Sequence, residues 1–317
     1  PKRKGLTIRM NKTIKKRRGD ARDNLTLNLM ALPGIIAVLT FCYLPMVGVV
    51  MAFKNFNSNL GIFGSPWVGL DNFKFFFMSD DFGLLMRNTL GYSIVFLVTT
   101  NIAAILFSVM CYNIRSTKLL KYYQTTAVLP TFMSMVLVSY IVYVFLSPTT
   151  GVFNNILKSV GLEPVMWYSD GRYWPFILTI TNLWKGVGYA SLLYYATMVG
   201  IDESLFDAAE IDGAGKWKQI IHIIIPELSS LICLQVIMGL GHALGGDFGL
   251  FYQVPRNVGL LYDSTNIFNT YVFRALQKGT SMGRTAAIGL FQSLAGVILL
   301  LISNAIIRKI DSEKSMF

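Results

Sequence analysis

The chain has 317 residues, of which 53% are hydrophobic and only 14% are charged, whereas soluble domains carry about 25% charged residues. This composition excludes an ordinary soluble domain and indicates a membrane protein. The formal net charge of +11 does not indicate a nucleic-acid partner, because ten of the 28 lysines and arginines lie within residues 1–23. A basic segment beside an apolar one usually sets orientation or contacts anionic lipid.

Six apolar segments follow this basic tail, each near the length of about 20 residues that a helix needs to cross a bilayer. Since backbone N–H and C=O groups cannot stay unpaired in lipid, we expect these segments to be helices. The fifth is short and rich in glycine. The predicted spans are residues 29–53, 89–112, 126–146, 176–198, 228–245 and 286–307.

The distribution of basic residues predicts the orientation of these spans. With the N-terminus in the cytoplasm, the cytoplasmic segments carry 18 lysines and arginines, and the longer outer segments carry nine. An excess of positive charge marks the cytoplasmic side, so both termini are predicted to be cytoplasmic. The predicted organisation is an all-α integral membrane protein with a basic cytoplasmic tail at 1–28, a six-helix transmembrane domain at 29–310 that includes a cytoplasmic segment at 199–227, and a cytoplasmic C-terminal tail at 311–317.

The cytoplasmic segment between spans four and five is predicted to form a helix–turn–helix at the inner face of the membrane. Asp202 is placed to cap a helix that starts near Glu203, and Gly213 permits the left-handed turn that ends this helix. A second, amphipathic stretch runs from residue 216 to 225. Pro226 is predicted to end that stretch before the fifth span.

The same segment resembles the EAA loop of ABC importer permeases, whose pattern E-A-A-x-x-x-G is followed at fixed spacing by I-x-L-P. Here the pattern reads D-A-A-x-x-x-G at residues 207–213 and I-x-I-P at residues 223–226. In that family the loop docks into a groove of the ATP-hydrolysing subunit. The departure is the aspartate at 207, which keeps the charge of the family's glutamate but shortens its reach by one methylene. The resemblance implies an ATPase-coupling role for Asp207, Ala208, Ala209, Glu210, Asp212, Gly213 and Pro226.

Three further stretches, at residues 182–188, 266–274 and 303–309, resemble the permeases for complex oligosaccharides within that family. The resemblance implies the type I ABC importer permease fold in the bacterial cytoplasmic (inner) membrane. It also implies partners: a second permease subunit, two ATP-binding subunits, an extracytoplasmic substrate-binding protein and the surrounding membrane lipid. The implied substrates are oligosaccharides, with acidic fragments of alginate or pectin as the preferred class.

The residues of the chain itself do not indicate an enzyme. Residues 213–216 read G-A-G-K, but the earlier glycine of a phosphate-binding loop is missing and Trp217 stands where serine or threonine is needed. The two histidines, His222 and His242, have no acidic partner at the spacing of a triad or a metal site, and the three cysteines form no cluster. We therefore expect no cofactor on this chain, with ATP and Mg bound by partner subunits.

Polar and aromatic residues within the predicted spans are candidates for a substrate pathway. Lys185 is the sharpest of them, because a lysine at the centre of a span costs about 2.5–3.5 kcal/mol on insertion scales. It either attracts an acidic sugar or an acid of a partner subunit, or it pairs with backbone carbonyls or one of the sparse acids. The aromatic residues either stack on sugar rings or pack in the core. The candidates are Lys185, Asn182, Trp184, Tyr140, Tyr143, Tyr189, Gln235 and Gln292.

Two other classes of membrane protein are alternatives. An ion-coupled secondary transporter usually has acidic residues in broken spans, and the six predicted spans contain none. A membrane enzyme needs a nucleophile, a metal or an acid–base cluster near one face, and the sequence shows no such cluster.

Overall fold

The computed structural model describes residues 19–316, and its regular elements are helices, with one isolated bridge between Lys54 and Trp67. The prediction of an all-α protein is therefore confirmed for these residues. Most of the predicted basic tail at 1–28 lies outside the described residues. The chain divides into two compact units, Pro1–Val50 and Met51–Phe317.

The first unit contains most of the first predicted span. Helix α1 (Gly19–Val38) continues through a π-helical turn (Leu39–Tyr43) into a 3-10 helix (Leu44–Phe53) that extends past the unit boundary. The stretch Thr26–Phe53 is long and apolar enough to cross a membrane. This stretch contains the whole of the span predicted at 29–53.

The second unit contains the remaining α-helices, several of which are joined by short 3-10 or π-helical turns. In chain order they are α2 (Gly61–Gly64), α3 (Asp71–Phe77), α4 (Asp81–Tyr112), α5 (Thr117–Val128), α6 (Met135–Leu146), α7 (Val152–Ser159), α8 (Trp174–Val199), α9 (Glu203–Ile211), α10 (Lys216–Gln219), α11 (Ile225–Gly241), α12 (Phe248–Gln253), α13 (Tyr262–Thr265), α14 (Phe268–Gln277) and α15 (Met282–Ile310).

Three helical runs of this unit are long and apolar enough to cross a membrane, namely Asp81–Tyr112, Lys216–Gly241 and Met282–Ile310. Among the described residues there are four such runs in all, or five if α5 and α6 form one bent span. Helix α8 matches the predicted fourth span and has 26 residues, a length of about 39 Å. It is less apolar than the others because it contains Asn182, Lys185 and several tyrosines. Six spans and two cytoplasmic termini thus stay predictions.

The third predicted span, residues 126–146, is wrong as a single straight helix. Helix α5 gives way to a 3-10 turn (Leu129–Phe132) before α6 begins, and the two helical arms are bent by 102°. Pro130 cannot donate a backbone hydrogen bond and so interrupts the helix. Ser134 then accepts a hydrogen bond from the Leu137 N–H at 3.3 Å, which caps the start of α6.

The prediction that Pro226 ends a separate helix is also wrong. Helix α10, a π-helical turn (Ile220–Ile224) and α11 form one continuous run, Lys216–Gly241, which begins earlier than the predicted fifth span. A proline in a regular α-helix clashes with the carbonyl group four residues before it. The wider π turn directly before Pro226 relieves this clash without ending the helix. A π turn stands in the same relation to Pro45 in the first unit.

Helices α4 and α8 pack against each other in the second unit. Their contact includes buried polar groups, because the Ser108 hydroxyl donates a hydrogen bond to the Ser191 carbonyl oxygen at 2.7 Å. The hydroxyl of the fully buried Tyr194 donates to the side chain of Asn101. Hydrogen bonds of this kind join helices where apolar surroundings offer no water as a partner.

Helix α8 also meets the end of α5, and Gly188 makes this approach possible. A Cβ atom on Gly188 would lie 2.0 Å from the carbonyl oxygen of Ala127, far closer than two atoms can come. A residue without a side chain is therefore needed for the two backbones to touch. Gly186, two residues earlier in the same helix, has no atom within 4 Å of its Cβ position.

Gly188→Ala is expected to destabilise the protein by about 1–3 kcal/mol, because the added methyl group forces α8 away from α5. The measurement is the Tm of the purified protein in detergent. Gly186→Ala is the matched control, since it adds the same group in open space and improves helix propensity. Its Tm is expected to equal or slightly exceed that of the wild type, and equal Tm values for the two variants would contradict the close approach.

Candidate functional site

The segment that resembles the EAA loop begins with a capped helix. Helix α9 starts at Glu203, as predicted, and the Asp202 carboxylate accepts a hydrogen bond from the Ser204 N–H at 3.0 Å. This hydrogen bond lowers the pKa of Asp202. The cap therefore supports the helix above the ordinary pKa of aspartate, and its contribution is lost as the pH falls through the lowered pKa.

Gly213 forms the turn that ends α9. Its φ of +75° lies in the left-handed region, where residues with a side chain are strained. The Ala214 N–H donates to the Ala209 carbonyl oxygen at 2.8 Å, and the Gly213 N–H donates to the Glu210 carbonyl oxygen at 3.0 Å. This pair of hydrogen bonds is the Schellman arrangement of a helix end. The predicted glycine stop is therefore confirmed.

Apolar packing anchors this turn to three long helices. The ring of Phe206 on α9 lies 6.1 Å from that of Tyr112 at the end of α4, and the Lys216 ammonium donates to the Asn113 side chain at 3.2 Å. Beneath these contacts α4, α8 and the run Lys216–Gly241 share one buried cluster, which contains Ala104, Tyr194, Met198, Ile224 and Leu228. The turn is thus a firmly attached extension of these helices.

The opposite side of the segment is exposed. Of the seven residues that the motif singles out, Ala209 is half-buried and the other six are exposed. Ile211 and Trp217 are also exposed, at 87% and 75%, so this side presents two large apolar side chains together with the acidic residues of the motif. Neither residue is among the coupling residues predicted from the sequence, although an isoleucine and a tryptophan among polar neighbours are a usable signal. A hollow of about 380 Å³ beside them is lined by Ala209, Asp212, Ala214, Lys218, Gln219 and His222.

Lys185 lies at the bend between α5 and α6. Its ammonium donates hydrogen bonds to the carbonyl oxygens of Thr131 and Met133, each at 2.8 Å, and of Pro130 at 3.3 Å. In return, the Thr131 hydroxyl donates to the Lys185 carbonyl oxygen at 2.8 Å. These contacts engage every N–H of the ammonium. They favour the alternative in which Lys185 pairs with backbone carbonyls, and a role toward substrate stays a prediction.

Two more pathway candidates connect neighbouring elements. The Asn182 amide donates to a hydroxyl group on α4 at 3.2 Å. The Gln292 amide donates to the Leu244 carbonyl oxygen at 2.8 Å and to the Asn269 side chain at 3.0 Å. Gln235 is half-buried. The first two residues satisfy polar groups of neighbouring elements, and a role of all three in a substrate pathway stays a prediction.

The aromatic candidates lie in separate places. Trp184 lines an apolar hollow of about 460 Å³ between α6, α7 and α8, and Tyr189 on α8 is 58% exposed. Tyr140 and Tyr143 lie together on α6, where the guanidinium of Arg256 covers both rings. Only these last two are brought together by the structure.

The stretch 266–274 holds the helices after α11 in place. The Arg274 guanidinium lies 4.0 Å from the centroid of the Tyr262 ring and donates hydrogen bonds to the side chains of Asn257, at 3.1 Å, and Asn266. Burial lowers the pKa of Arg274. The arginine of this motif is thus engaged within the chain.

Comparisons with known proteins agree with this architecture. The family model described as "Binding-protein-dependent transport system inner membrane component" matches residues 101–312, which include the exposed turn and all the pathway candidates. Protein LplB of Bacillus subtilis (strain 168) is 33% identical over 287 residues, which cover 90% of each chain. The polygalacturonan/rhamnogalacturonan transport system permease protein YteP of the same strain is 32% identical, over 90% of this chain and 89% of its own.

Two solved structures are similar over nearly the whole chain. One is the crystal structure of a bacterial ABC transporter involved in the import of the acidic polysaccharide alginate, with a TM-score of 0.84, 32% identity and coverage of 92% of this chain and 98% of that chain. The other is the bacterial alginate ABC transporter in complex with an alginate pentasaccharide-bound periplasmic protein, with a TM-score of 0.83, 31% identity and coverage of 92% and 97%. The fold is therefore shared with these transport proteins.

Lys185→Met is expected to destabilise the protein by about 2 kcal/mol, because the carbonyl oxygens at the bend lose their hydrogen bonds to a charged donor. The measurement is again the Tm in detergent. Lys158→Met removes an exposed lysine of α7 and is expected to leave the Tm unchanged. A Tm of Lys185→Met equal to that of the wild type would show that the ammonium does not brace the bend.

Proposed function

The chain belongs to the family of binding-protein-dependent transport system inner membrane components, and from that premise we propose that it forms half of a translocation pathway for oligosaccharides. It is a permease subunit of an ABC importer for sugars or oligosaccharides, as its relatives are, and a multi-pass protein of the bacterial inner membrane. In this family the ATPase activity belongs to separate subunits, so the chain is a transport subunit rather than an enzyme.

The exposed turn between α9 and α10 is proposed to couple this chain to an ATP-hydrolysing subunit. The observation that carries the proposal is the contrast between its two sides. One side exposes Ile211, Trp217 and the acidic residues of the motif, while the other is tied to α4, α8 and α11 by Phe206 and the buried cluster. A partner that moves the exposed side moves the attached helices with it, since packed elements shift as rigid bodies.

The remaining chains of the importer are proposed from the family. A second permease subunit completes the pathway, and two ATP-binding subunits hold ATP and Mg. A binding protein outside the membrane delivers the sugar, which agrees with the term "binding-protein-dependent" in the family description. One of the similar structures holds a periplasmic protein that carries an alginate pentasaccharide, which supports the same arrangement here.

Acidic oligosaccharides are proposed as the substrate class. YteP is named for polygalacturonan and rhamnogalacturonan, and the similar structures come from an importer of alginate. Galacturonan and alginate share sugar units that carry a carboxylate. A neutral oligosaccharide is the competing substrate, and uptake of both kinds by the same proteoliposomes decides between them.

Gly213→Val is expected to lower substrate-stimulated ATP hydrolysis and uptake about tenfold in proteoliposomes that contain the complete importer. A β-branched residue in the left-handed region costs about 1–3 kcal/mol, which makes the docking shape of the turn about ten times rarer. Co-purification of the ATP-binding subunits is measured in parallel.

The matched control is Gly215→Val, two residues further along. Gly215 has a φ of −68° and no atom within 4 Å of its Cβ position, so valine fits there without strain. Its uptake is expected to stay near that of the wild type. If Gly213→Val keeps full uptake and full ATPase stimulation, the coupling role of the turn is refuted.

A further inference from the structure

We infer that a polar cavity between α6 and α12 binds one carboxylate-bearing sugar unit, with Arg256 as its anion-binding residue. The inference rests on the proposal that the chain transports acidic oligosaccharides, and it identifies the site at which a carboxylate of the substrate binds. The cavity has a volume of about 380 Å³, near the lower end of the range of about 300–1,000 Å³ for small-molecule pockets. That size favours a single sugar unit. Its polar and aromatic lining comes from Ser139, Tyr140, Tyr252, Gln253, Arg256 and Asn257.

Arg256 supplies the positive charge of this cavity. Its guanidinium carbon lies 4.3 Å from the centroid of the Tyr143 ring and 5.6 Å from that of Tyr140, so cation–π contacts hold the group in place. Within the part of the chain that the structure describes, the ion pairs involve other residues, and no hydrogen bond uses the Arg256 side chain. The N–H groups of the planar guanidinium are therefore available, and they can bind a carboxylate through bidentate hydrogen bonds.

The contrast with two neighbouring cations supports this assignment. The Lys185 ammonium donates its hydrogen bonds to carbonyl oxygens at the bend. The Arg274 guanidinium is half-buried and donates hydrogen bonds to the side chains of Asn257 and Asn266. Arg256 is exposed and keeps its hydrogen-bonding capacity. A negatively charged ligand in this region would therefore gain most from Arg256.

The rest of the lining matches the other parts of a sugar unit. Tyr140 is 55% exposed, and Tyr252 is backed by Phe248, whose ring stacks on it at 5.0 Å. Sugar rings have apolar C–H faces that pack against such aromatic planes. The Gln253 amide makes no side-chain hydrogen bond to the described residues, so it can bond a sugar hydroxyl group.

The backbone at this position is strained, which is unusual for residues with side chains. Arg256 and Asn257 both lie in the left-handed region, with φ of 57° and 52°, and neither is a glycine. The Tyr262 hydroxyl and the Arg274 guanidinium each donate to the Asn257 side chain at 3.1 Å and hold the turn. Backbone strain that the surrounding structure maintains is concentrated at functional sites. Here the strained turn is what directs Arg256 over the two tyrosines.

The cavity lies along the helix that leads away from the bend. Tyr140 and Tyr143 are five and eight residues beyond the start of α6 at Met135, so they lie about 8 and 12 Å along it. Helix α6 then continues into the segment predicted to be outside the membrane. A sugar chain that enters from that side therefore meets Arg256 before it reaches the level of Lys185.

The test uses the complete importer in proteoliposomes, with binding protein saturated with trigalacturonate in one series and with an alginate trisaccharide in the other. Arg256→Gln keeps a planar hydrogen-bonding group but removes the charge. It is expected to lower uptake of both trisaccharides about tenfold, since a hydrogen bond between charged groups is lost. The Tm of the assembled importer is expected to stay at the wild-type value. Arg256→Lys keeps the charge and is expected to recover a large part of the uptake.

Arg172→Gln is the matched control. Arg172 is also an exposed arginine outside the long helices, but its guanidinium is paired with Asp170 at 2.6 Å, and its replacement is expected to leave uptake unchanged. Full uptake by Arg256→Gln overturns the inference, and so does a parallel fall of its uptake and its Tm, which would make Arg256 a packing residue. If the wild-type importer takes up neutral oligosaccharides only, the acidic-substrate proposal fails and this inference with it, whereas the coupling proposal is judged separately by the Gly213 variant.

Discussion

The hydrogen bonds of the half-buried Lys185 ammonium are the interaction on which the arrangement of α5, α6 and α8 depends. Pro130 interrupts the helix between α5 and α6, and the bend that follows breaks the regular helical pairing of the carbonyl oxygens there. In apolar surroundings an unpaired carbonyl is costly. The ammonium donates to the oxygens of Thr131 and Met133 and also to that of Pro130, which accepts from the Met133 N–H as well. Gly188 lets α8 come close enough to the end of α5 for these contacts to form. The Lys185 ammonium, whose insertion into a membrane span costs free energy, thereby stabilises the bend between α5 and α6.

Both proposed functional regions are connected to this arrangement, one through α8 and the other through α6. The same helix that carries Lys185 carries Tyr194 and Met198, which lie in the buried cluster beneath the exposed turn. Lys185 and Met198 are 13 residues apart in this helix, a distance of about 20 Å. On the other side of the bend, the direction of α6 places two tyrosines opposite α12 and Arg256. Helix α8 therefore connects the bend before α6 with the buried cluster beneath the exposed turn.

The sequence and the structure agree most closely where a local property decides the outcome. Gly213 ends α9 because its backbone tolerates a positive φ, and that preference belongs to the residue itself. The two prolines show the limit of such reasoning. The sequence predicts an unbroken span through Pro130 and a helix end at Pro226, yet the chain bends sharply after the first and continues as one helix through the second. The difference lies in how the neighbouring backbone is satisfied, by a lysine from another helix in one case and by a π turn in the other.

The sequence by itself determined that this is a helical membrane protein with a motif typical of importer permeases, because hydrophobic length, charge distribution and residue spacing are properties of the chain alone. Only the tertiary structure decided what the cations do. Lys185, Arg256 and Arg274 each carry one positive charge in the sequence. In the structure Lys185 braces a bend, Arg274 donates hydrogen bonds to two asparagine side chains, and the Arg256 guanidinium lies over two tyrosine rings. The partners that distinguish them lie far away along the chain, as the more than 50 residues between Lys185 and Thr131 show. Such contacts are determined by how the helices pack, and a local sequence pattern does not predict them.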